Sequence, residues 1–318
     1  MIWVGWRQQR LEALIVAAML AALAAVAIPV GIHAASVYSH DDLSVCARSA
    51  NGLACNLSVS SFLVRFTGLN VLFTWSTLVP ALAALLFAAP FILDLDGGTY
   101  RLYWTQSITR RRWIVVKLGL AVLASVAVAG VLIGLAMWSR APIDALSGRM
   151  GANAYDSEGI VPVAYALFVL GVGVALGALW RRTVPALLSA FVVYVVVRAF
   201  VDSWLRQRLL TPITTTWPGS RPGPNLNGAL VINQFASDKH GNPLAVSQVC
   251  TQGSGPLFTH AQACRVQPST PGVHVFMTAI YQPANRFWDL QGIEFGIVAG
   301  VGVLLILAAA WWTDRRIS

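Results

Sequence analysis

Residues 98–118 read GTYRLYWTQSITRRRWIVVKL, a polar, arginine-rich stretch with abundant aromatic side chains set between two long apolar segments. Lys and Arg in a short segment between apolar runs stay on the cytoplasmic face of a membrane, and Trp and Tyr collect at the headgroup level. The stretch therefore reads as an inner-face connector, which makes its two flanks membrane spans. Outward from it, the chain of 318 residues is 57% hydrophobic and only 11% charged, with a mean hydropathy of +0.66. That is more apolar surface than a soluble core of this size buries, so an integral membrane protein is expected.

Six windows, near residues 12–33, 69–93, 113–138, 160–180, 184–201 and 293–312, are apolar for about 18–25 residues, near the length that crosses the hydrocarbon layer as helix. The expected fold is an all-α membrane protein of six transmembrane helices in the cell membrane. Arg7 and Arg10 precede the first span, Arg101, Arg110, Arg111, Arg112 and Lys117 fill the second connector, Arg181 and Arg182 form a short turn, and Arg315 and Arg316 follow the last span. These segments belong inside, which predicts that both termini are cytoplasmic. The formal charge of +9 is then met by anionic lipid headgroups, and no nucleic acid is called for. The first window is too long for the apolar core of a secretory signal peptide and is expected to remain as a helix.

Three parts are predicted: residues 1–201 with five spans and a cytoplasmic coupling region at 94–112, an extracellular insertion at 202–290, and a last span with its tail at 291–318. The insertion holds nine of the fifteen prolines and the turn signals Pro218-Gly219 and Gly223-Pro224. It is expected to be loop-rich and partly β, with strand candidates at 229–235 and 273–281. Segments 34–68 and 139–159 read as short outer excursions. Cys46 with Cys55 and Cys250 with Cys264 fall in segments assigned to the outside, where oxidation to two disulfides is expected. Three connectivities exist for four cysteines, and pairing within each loop is the simplest. A metal site is not expected, because His240, His260 and His274 share the insertion without zinc-ligand spacing. Met1 to Arg10 carries Trp3, Trp6, Arg7 and Arg10 at helical spacing, which suits either a helix lying along the inner membrane surface or a flanking belt. The small-residue pairs Gly130/Gly134, Gly173/Gly177 and Gly296/Gly300 predict close helix packing within the bundle.

Catalytic chemistry is not apparent. The two lysines, Lys117 and Lys239, are followed by Leu118 and His240, so no phosphate-cradling loop ending in Lys-Ser or Lys-Thr exists and ATP hydrolysis would need another polypeptide. Arg198 with Asp202, four apart near the end of the fifth span, is expected as an ion pair. Glu294 at the start of the sixth reads as solvated at the interface. No acids are apparent deep in several spans, which argues against a proton-driven carrier.

Asp94 and Asp96 close the second span and Gly97-Gly98 breaks its helix. A short surface helix from Thr99 would carry Tyr100, Tyr103 and Trp104 in the headgroups and Arg101, Thr105 and Gln106 toward the cytosol. An anchoring loop and a lever are both compatible with that composition. The stretch resembles the connector of actinobacterial permeases of the type-two ATP-binding-cassette family, in which an acidic residue precedes Gly-Thr-x-Arg-Leu-x-x-Thr-Gln-x-x-(Ser/Thr)-Arg and a later Lys. Asp94 stands where such permeases more often carry Glu. Trp6-Arg7-Gln8 and the segment from Tyr281 to Trp288 are similar to segments of the same group. The resemblance implies that Met1 to Arg10 is an interfacial connecting helix and Thr99 to Gln106 a coupling helix seated in a groove of an ATPase, with Thr99, Arg101, Tyr103, Trp104, Thr105, Gln106 and Arg110 as interface residues. It implies a non-enzymatic permease subunit that pairs with a second, identical or related permease and recruits two ATPase subunits, which bind ATP and Mg. Such an assembly exports a lipophilic compound, drug, peptide or lipid. A membrane scaffold or sensor whose insertion binds a ligand or protein is the alternative, and it predicts a dispensable connector.

Overall fold

The computed structural model describes the chain except residues 1, 49–52, 101–108, 222, 225, 227, 245, 253–261, 269–274 and 317–318. Ten α-helices appear among the described residues: α1 (Ile2–His40), α2 (Leu43–Arg48), α3 (Leu53–Arg65), α4 (Thr67–Ser76), α5 (Leu78–Asp96), α6 (Arg110–Ser147), α7 (Ala152–Ser157), α8 (Val161–Trp180), α9 (Thr183–Phe200) and α10 (Phe287–Arg316). Six segments are long and apolar enough to cross a membrane: Gln9–His40, Thr67–Asp96, Arg110–Ser147, Val161–Trp180, Thr183–Arg208 and Ala284–Arg316. Each contains one of the six apolar windows or all but its edge. The 38 residues of α6 reach about 57 Å at 1.5 Å per residue, so its ends project beyond the hydrocarbon layer.

The chain divides into a helical unit, residues 1–209 with 285–318, and an insertion, Leu210–Ala284. The insertion is narrower than the expected 202–290. Past Phe200 the chain stays helical, as a π-turn over Val201–Leu205 and a 3-10 turn over Arg206–Arg208, because Asp202 and Arg206 find partners there.

At the centre of the helical unit lies α8, apolar around its whole circumference and so suited to burial on every side. It meets α10 where two backbones touch: a Cβ on Gly171 would fall 2.4 Å from the carbonyl oxygen of Gly302. Against α5, a Cβ on Gly177 would fall 2.5 Å from Ile92. Of the three expected small-residue pairs, only Gly173/Gly177 faces a packed neighbour. Nothing lies within 4 Å of the Cβ positions of Gly130, Gly134, Gly296 or Gly300.

A second layer joins α1, α4 and α6 to the helices of the first excursion through Ala27, Ala34, Leu43, Phe62, Phe66, Leu69, Phe73, Ala136, Ile143 and Leu146. The segment expected as an outer excursion over 34–68 is therefore largely helical. Phe62, Phe66, Leu69 and Phe73 recur at three- and four-residue spacing, which places them on one buried face. Cys46 of α2 and Cys55 of α3 are joined by a disulfide. Met1 to Arg10 does not stand apart as its own helix: α1 runs unbroken from Ile2, with no proline before Pro29 to interrupt it.

The insertion holds β1 (Ile213–Pro218), β2 (Leu230–Ser237), β3 (Val246–Gln252), β4 (Gln262–Pro268) and β5 (Phe276–Gln282). They form a three-stranded antiparallel sheet in the order β1-β5-β2 and a separate β3-β4 pair. The two expected strands correspond to β2 and β5. Thr278 of central β5 shares hydroxyl hydrogen bonds with Thr216 of β1 at 2.9 Å and Ser237 of β2 at 2.7 Å, so the buried hydroxyls of Thr278 and Ser237 are satisfied across the sheet. In the second sheet Cys250 stands directly opposite Cys264.

Candidate coupling site

The connector between α5 and α6 is held at both of its described flanks. At the end of α5, Gly97 donates its N–H to the Leu93 carbonyl at 2.9 Å, and Gly98 turns the chain with φ +68°, a left-handed conformation that favours glycine. Thr99 then folds back, and its hydroxyl donates to Asp94 Oδ1 at 2.9 Å. The other Asp94 oxygen accepts from Lys117 Nζ of α6. Both side chains are buried, Lys117 at 8% exposure and Asp94 at 10%. Lys117 also reaches the Pro90 carbonyl at 3.3 Å and lies over the Trp113 ring, 5.3 Å from its centroid. Trp113 stacks on Phe91 with centroids 5.4 Å apart. An ion pair, a lysine–carbonyl bond and an aromatic stack thus tie the end of α5 to the start of α6.

Two further contacts extend this end of the bundle. Asp96 Oδ2 accepts from both the N–H and the hydroxyl of Thr183, each at 2.9 Å, so a residue of α5 caps the N-terminus of α9. Arg111 Nε donates to Asp314 Oδ2 at 3.2 Å and joins α6 to α10. Of the expected interface residues, Thr99 and Arg110 are described: Thr99 belongs to the anchor, and Arg110 is the exposed first residue of α6. Arg101, Tyr103, Trp104, Thr105 and Gln106 lie outside the described residues.

The opposite end of the bundle contains buried charge. The expected pair of Arg198 with Asp202 does not form. Arg198 pairs with Asp156 at 2.6 Å and Asp202 with Arg206 at 2.6 Å. Each member of the expected pair has another partner: Asp156 of α7 takes Arg198, and Arg206, one turn further on, takes Asp202. Glu294 is fully buried rather than solvated. Its carboxylate accepts from Arg206 Nε at 3.1 Å, from Arg206 Nη2 at 3.3 Å and from the Tyr165 hydroxyl at 3.1 Å. Arg206 also donates to Asp156 at 2.7 Å and lies 4.1 Å from the Tyr155 ring centroid. Burial pushes the Tyr155 phenol above its ordinary range, and the Glu294 charge adds to the shift.

A second cluster surrounds Arg140, which donates to Glu158 at 3.0 Å, to Asp144 at 3.3 Å and to the Asn70 side-chain oxygen. Gln291 links the helices differently. Its oxygen accepts from the N–H groups of Ile160 and Val161, each at 3.0 Å, and its nitrogen donates to the carbonyls of Tyr155 at 2.8 Å and Glu158 at 3.2 Å. The acids at this end of the bundle are paired with arginines, a pairing that sequence reasoning did not find. The four-residue spacings of Arg140 with Asp144 and of Asp202 with Arg206 were the available signal. Among the described residues no group of three His, Cys, Asp or Glu side chains could hold a metal ion.

Six spanning helices around a doubly anchored connector set the frame for comparison. Residues 17–206 match the family described as ABC-2 membrane transporter related. The chain belongs to that family. A comparison with curated proteins finds no match, and one with solved structures finds none. The ABC-2 match spans most of α1, all of α2 to α9 and both flanks of the connector; the insertion and the last spanning helix lie beyond it. Membership makes the chain a multi-pass transporter component of the membrane and implies, in general, an ATPase subunit as its partner.

Proposed function

We propose that this ABC-2 permease couples ATP hydrolysis by a separate ATPase subunit to export of a lipophilic compound, drug, peptide or lipid. The connector would dock on that ATPase through Arg101, Thr105, Gln106 and Arg110. The full assembly would hold a second, identical or related permease and two ATPase subunits, with ATP and Mg bound in the latter. No residue of this chain makes or breaks bonds in this reading; its working site is a mechanical interface.

The observation that supports it is the anchoring of both connector flanks on one buried pair, Asp94 with Lys117. A loop that only rests in the headgroups needs no such fixture. A lever does, because a push on it moves α5 and α6 only if its ends are rigidly joined to them. Asp96 on Thr183 carries the same displacement to α9.

Affinity purification of the tagged full chain in mild detergent tests the proposal. ATPase activity is expected to co-purify with the intact chain and to be lost with Arg101→Glu combined with Gln106→Ala, while the chain itself stays folded by thermal unfolding. Retention of activity by that variant would refute the docking role of the connector. Failure of any ATPase to accompany the intact chain would refute the permease assembly and direct attention to the insertion as a binding module.

A further inference from the structure

The Arg140 cluster opens onto a cavity of about 200 Å³ lined by Asn70, Arg140, Ser147, Gly148, Gly151 and Asn153, together with Ala154. Arg140 is itself buried, with 3% of its side chain exposed. A guanidinium carries five N–H donors. Three are used, by Nε on Glu158, Nη1 on Asn70 and Nη2 on Asp144, which leaves one further N–H on each terminal nitrogen.

The other lining groups also tend toward donation. The Asn70 oxygen is occupied by Arg140, so the end of that amide still free to bond is its NH2. Asn153 is exposed at the mouth; its backbone carbonyl accepts from the Ser157 hydroxyl, and among the described residues no hydrogen bond engages its side chain. No carboxylate lines the cavity. Asp144 and Glu158 stand behind the guanidinium and fix its plane, which is how a planar fork is pre-organised for an oxygen-rich ligand.

Charge narrows the class. Arg140 and Arg149 face Asp144 and Glu158, with Arg149 Nε 3.6 Å from Glu158 Oε2 and 43% exposed. Two carboxylates offset most of the charge of two arginines, so the cavity suits a singly charged, acceptor-rich group better than a dianion. Position narrows it further. Ser147 ends the Arg110–Ser147 span, and Asn70 lies within one turn of the start of the Thr67–Asp96 span. The cavity thus sits at the polar edge of the apolar layer, at the depth of lipid phosphates.

We propose that the Arg140 cavity is a binding site for a phosphodiester, with Arg140, Asn70 and Asn153 donating to its oxygens. Two sources carry that chemistry, a lipid headgroup and a soluble phosphodiester.

The test uses the full chain in detergent, titrated with dioleoylphosphatidylglycerol, with dioleoylglycerol as the phosphate-free counterpart, and with soluble glycerophosphoglycerol. Thermal stabilisation and native mass spectrometry report binding. Two variants accompany the native chain. Arg140→Lys keeps a cation against Asp144 and Glu158 but lacks the fork, and Asn153→Asp places a carboxylate at the exposed mouth, where it does not disturb packing. Phosphatidylglycerol is expected to stabilise the native chain and dioleoylglycerol not to. Each variant should bind phosphatidylglycerol about tenfold more weakly or worse, the scale of one lost charge-assisted hydrogen bond. Binding of glycerophosphoglycerol as well would assign the site to a soluble ligand of the same chemistry, and binding of the lipid alone would assign it to the headgroup. Equal stabilisation by the two lipids, or native affinity in Asn153→Asp, would overturn the proposal.

Discussion

Replacing Lys117 by Met removes one half of a buried pair and leaves the other half in place. Asp94, at 10% exposure, would then keep only the Thr99 hydroxyl at 2.9 Å. Breaking a buried pair in this way costs about 3–5 kcal/mol, because a carboxylate remains without its counter-charge. The Met side chain still packs on Trp113 and Phe91, and the Thr99 bond persists, so the lower end, about 3 kcal/mol, is expected. Asp94→Leu removes the counter-charge of the ammonium, which keeps the Pro90 carbonyl at 3.3 Å, and should cost a similar amount. The double variant, Asp94→Leu with Lys117→Met, removes both charges together and should lie within about 1 kcal/mol of the native chain. A coupling of about 5 kcal/mol between the two sites follows. Reversible unfolding in mixed micelles, followed by tryptophan fluorescence, measures all three variants. The function should separate from the stability: the double variant is expected to fold but to co-purify less ATPase activity, since Thr99 has lost its acceptor. Single variants within about 0.5 kcal/mol of the native chain, or a double variant equal to their sum, would refute the anchoring argument.

Gly171→Ala should destabilise by about 1–3 kcal/mol in thermal unfolding, because its methyl would sit 2.4 Å from the Gly302 carbonyl oxygen, whereas Gly130→Ala, which faces open space, should stay within about 0.5 kcal/mol. Cys46→Ser with Cys55→Ser opens a disulfide of sequence separation 9 and should cost about 2.5 kcal/mol by loop-closure entropy; dithiothreitol should remove that increment from the native chain and leave in the variant only the effect of the expected Cys250–Cys264 bond. Cys250 and Cys264, directly opposite in β3 and β4, are expected to form a second disulfide, since facing antiparallel residues have the Cα separation such a bond needs; a non-reduced peptide map lacking the 250–264 crosslink would contradict this. Gln291→Leu strips the N-terminal cap from α8 and two carbonyls of their donors, and a loss of about 2–4 kcal/mol in denaturant titration is expected.

The spans were legible because the hydrocarbon layer imposes a length that few other structures need, and the connector was legible because five cations crowd into residues 101–117. What sequence could not supply was pairing across distance. Asp94 and Lys117 are 23 residues apart and Arg206 and Glu294 are 88 apart, and no periodicity relates such positions. Glu294 therefore read as solvated, although it is fully buried. The four-residue rule failed for Arg198 and Asp202 because Asp156, 42 residues away in sequence, takes Arg198, and Arg206 competes for Asp202 at the same spacing. Small-residue spacing failed at Gly130/Gly134 and Gly296/Gly300 for another reason: it marks a face that allows close approach but does not say what stands opposite. The excursion over 34–68 read as a loop because its cysteines and serines outweighed a helical period carried by a few phenylalanines.

Arginines occur at both ends of the bundle, yet their surroundings give them opposite roles. At the connector end, Arg110, Arg111, Arg112, Arg181, Arg182, Arg315 and Arg316 are exposed, and Asp314 is a partner for only one of them, Arg111. At the other end, Arg140 and Arg206 are buried among Asp144, Glu158, Asp156, Asp202 and Glu294. A paired arginine presents little net charge to headgroups, so the charge asymmetry that orients a membrane protein resides almost entirely in the exposed set. The same division bears on motion. Where carboxylates from α7, α10 and the π-turn converge on a single guanidinium, relative movement of those segments breaks several charge-assisted bonds together. At the connector end the described polar links run between pairs of helices, Lys117 with Asp94 and the Pro90 carbonyl, Asp96 with Thr183, and Arg111 with Asp314. Under the proposed coupling role, a push on the connector would therefore enter through the firm Asp94–Lys117 joint, while the far cluster would hold its helix ends together as they move.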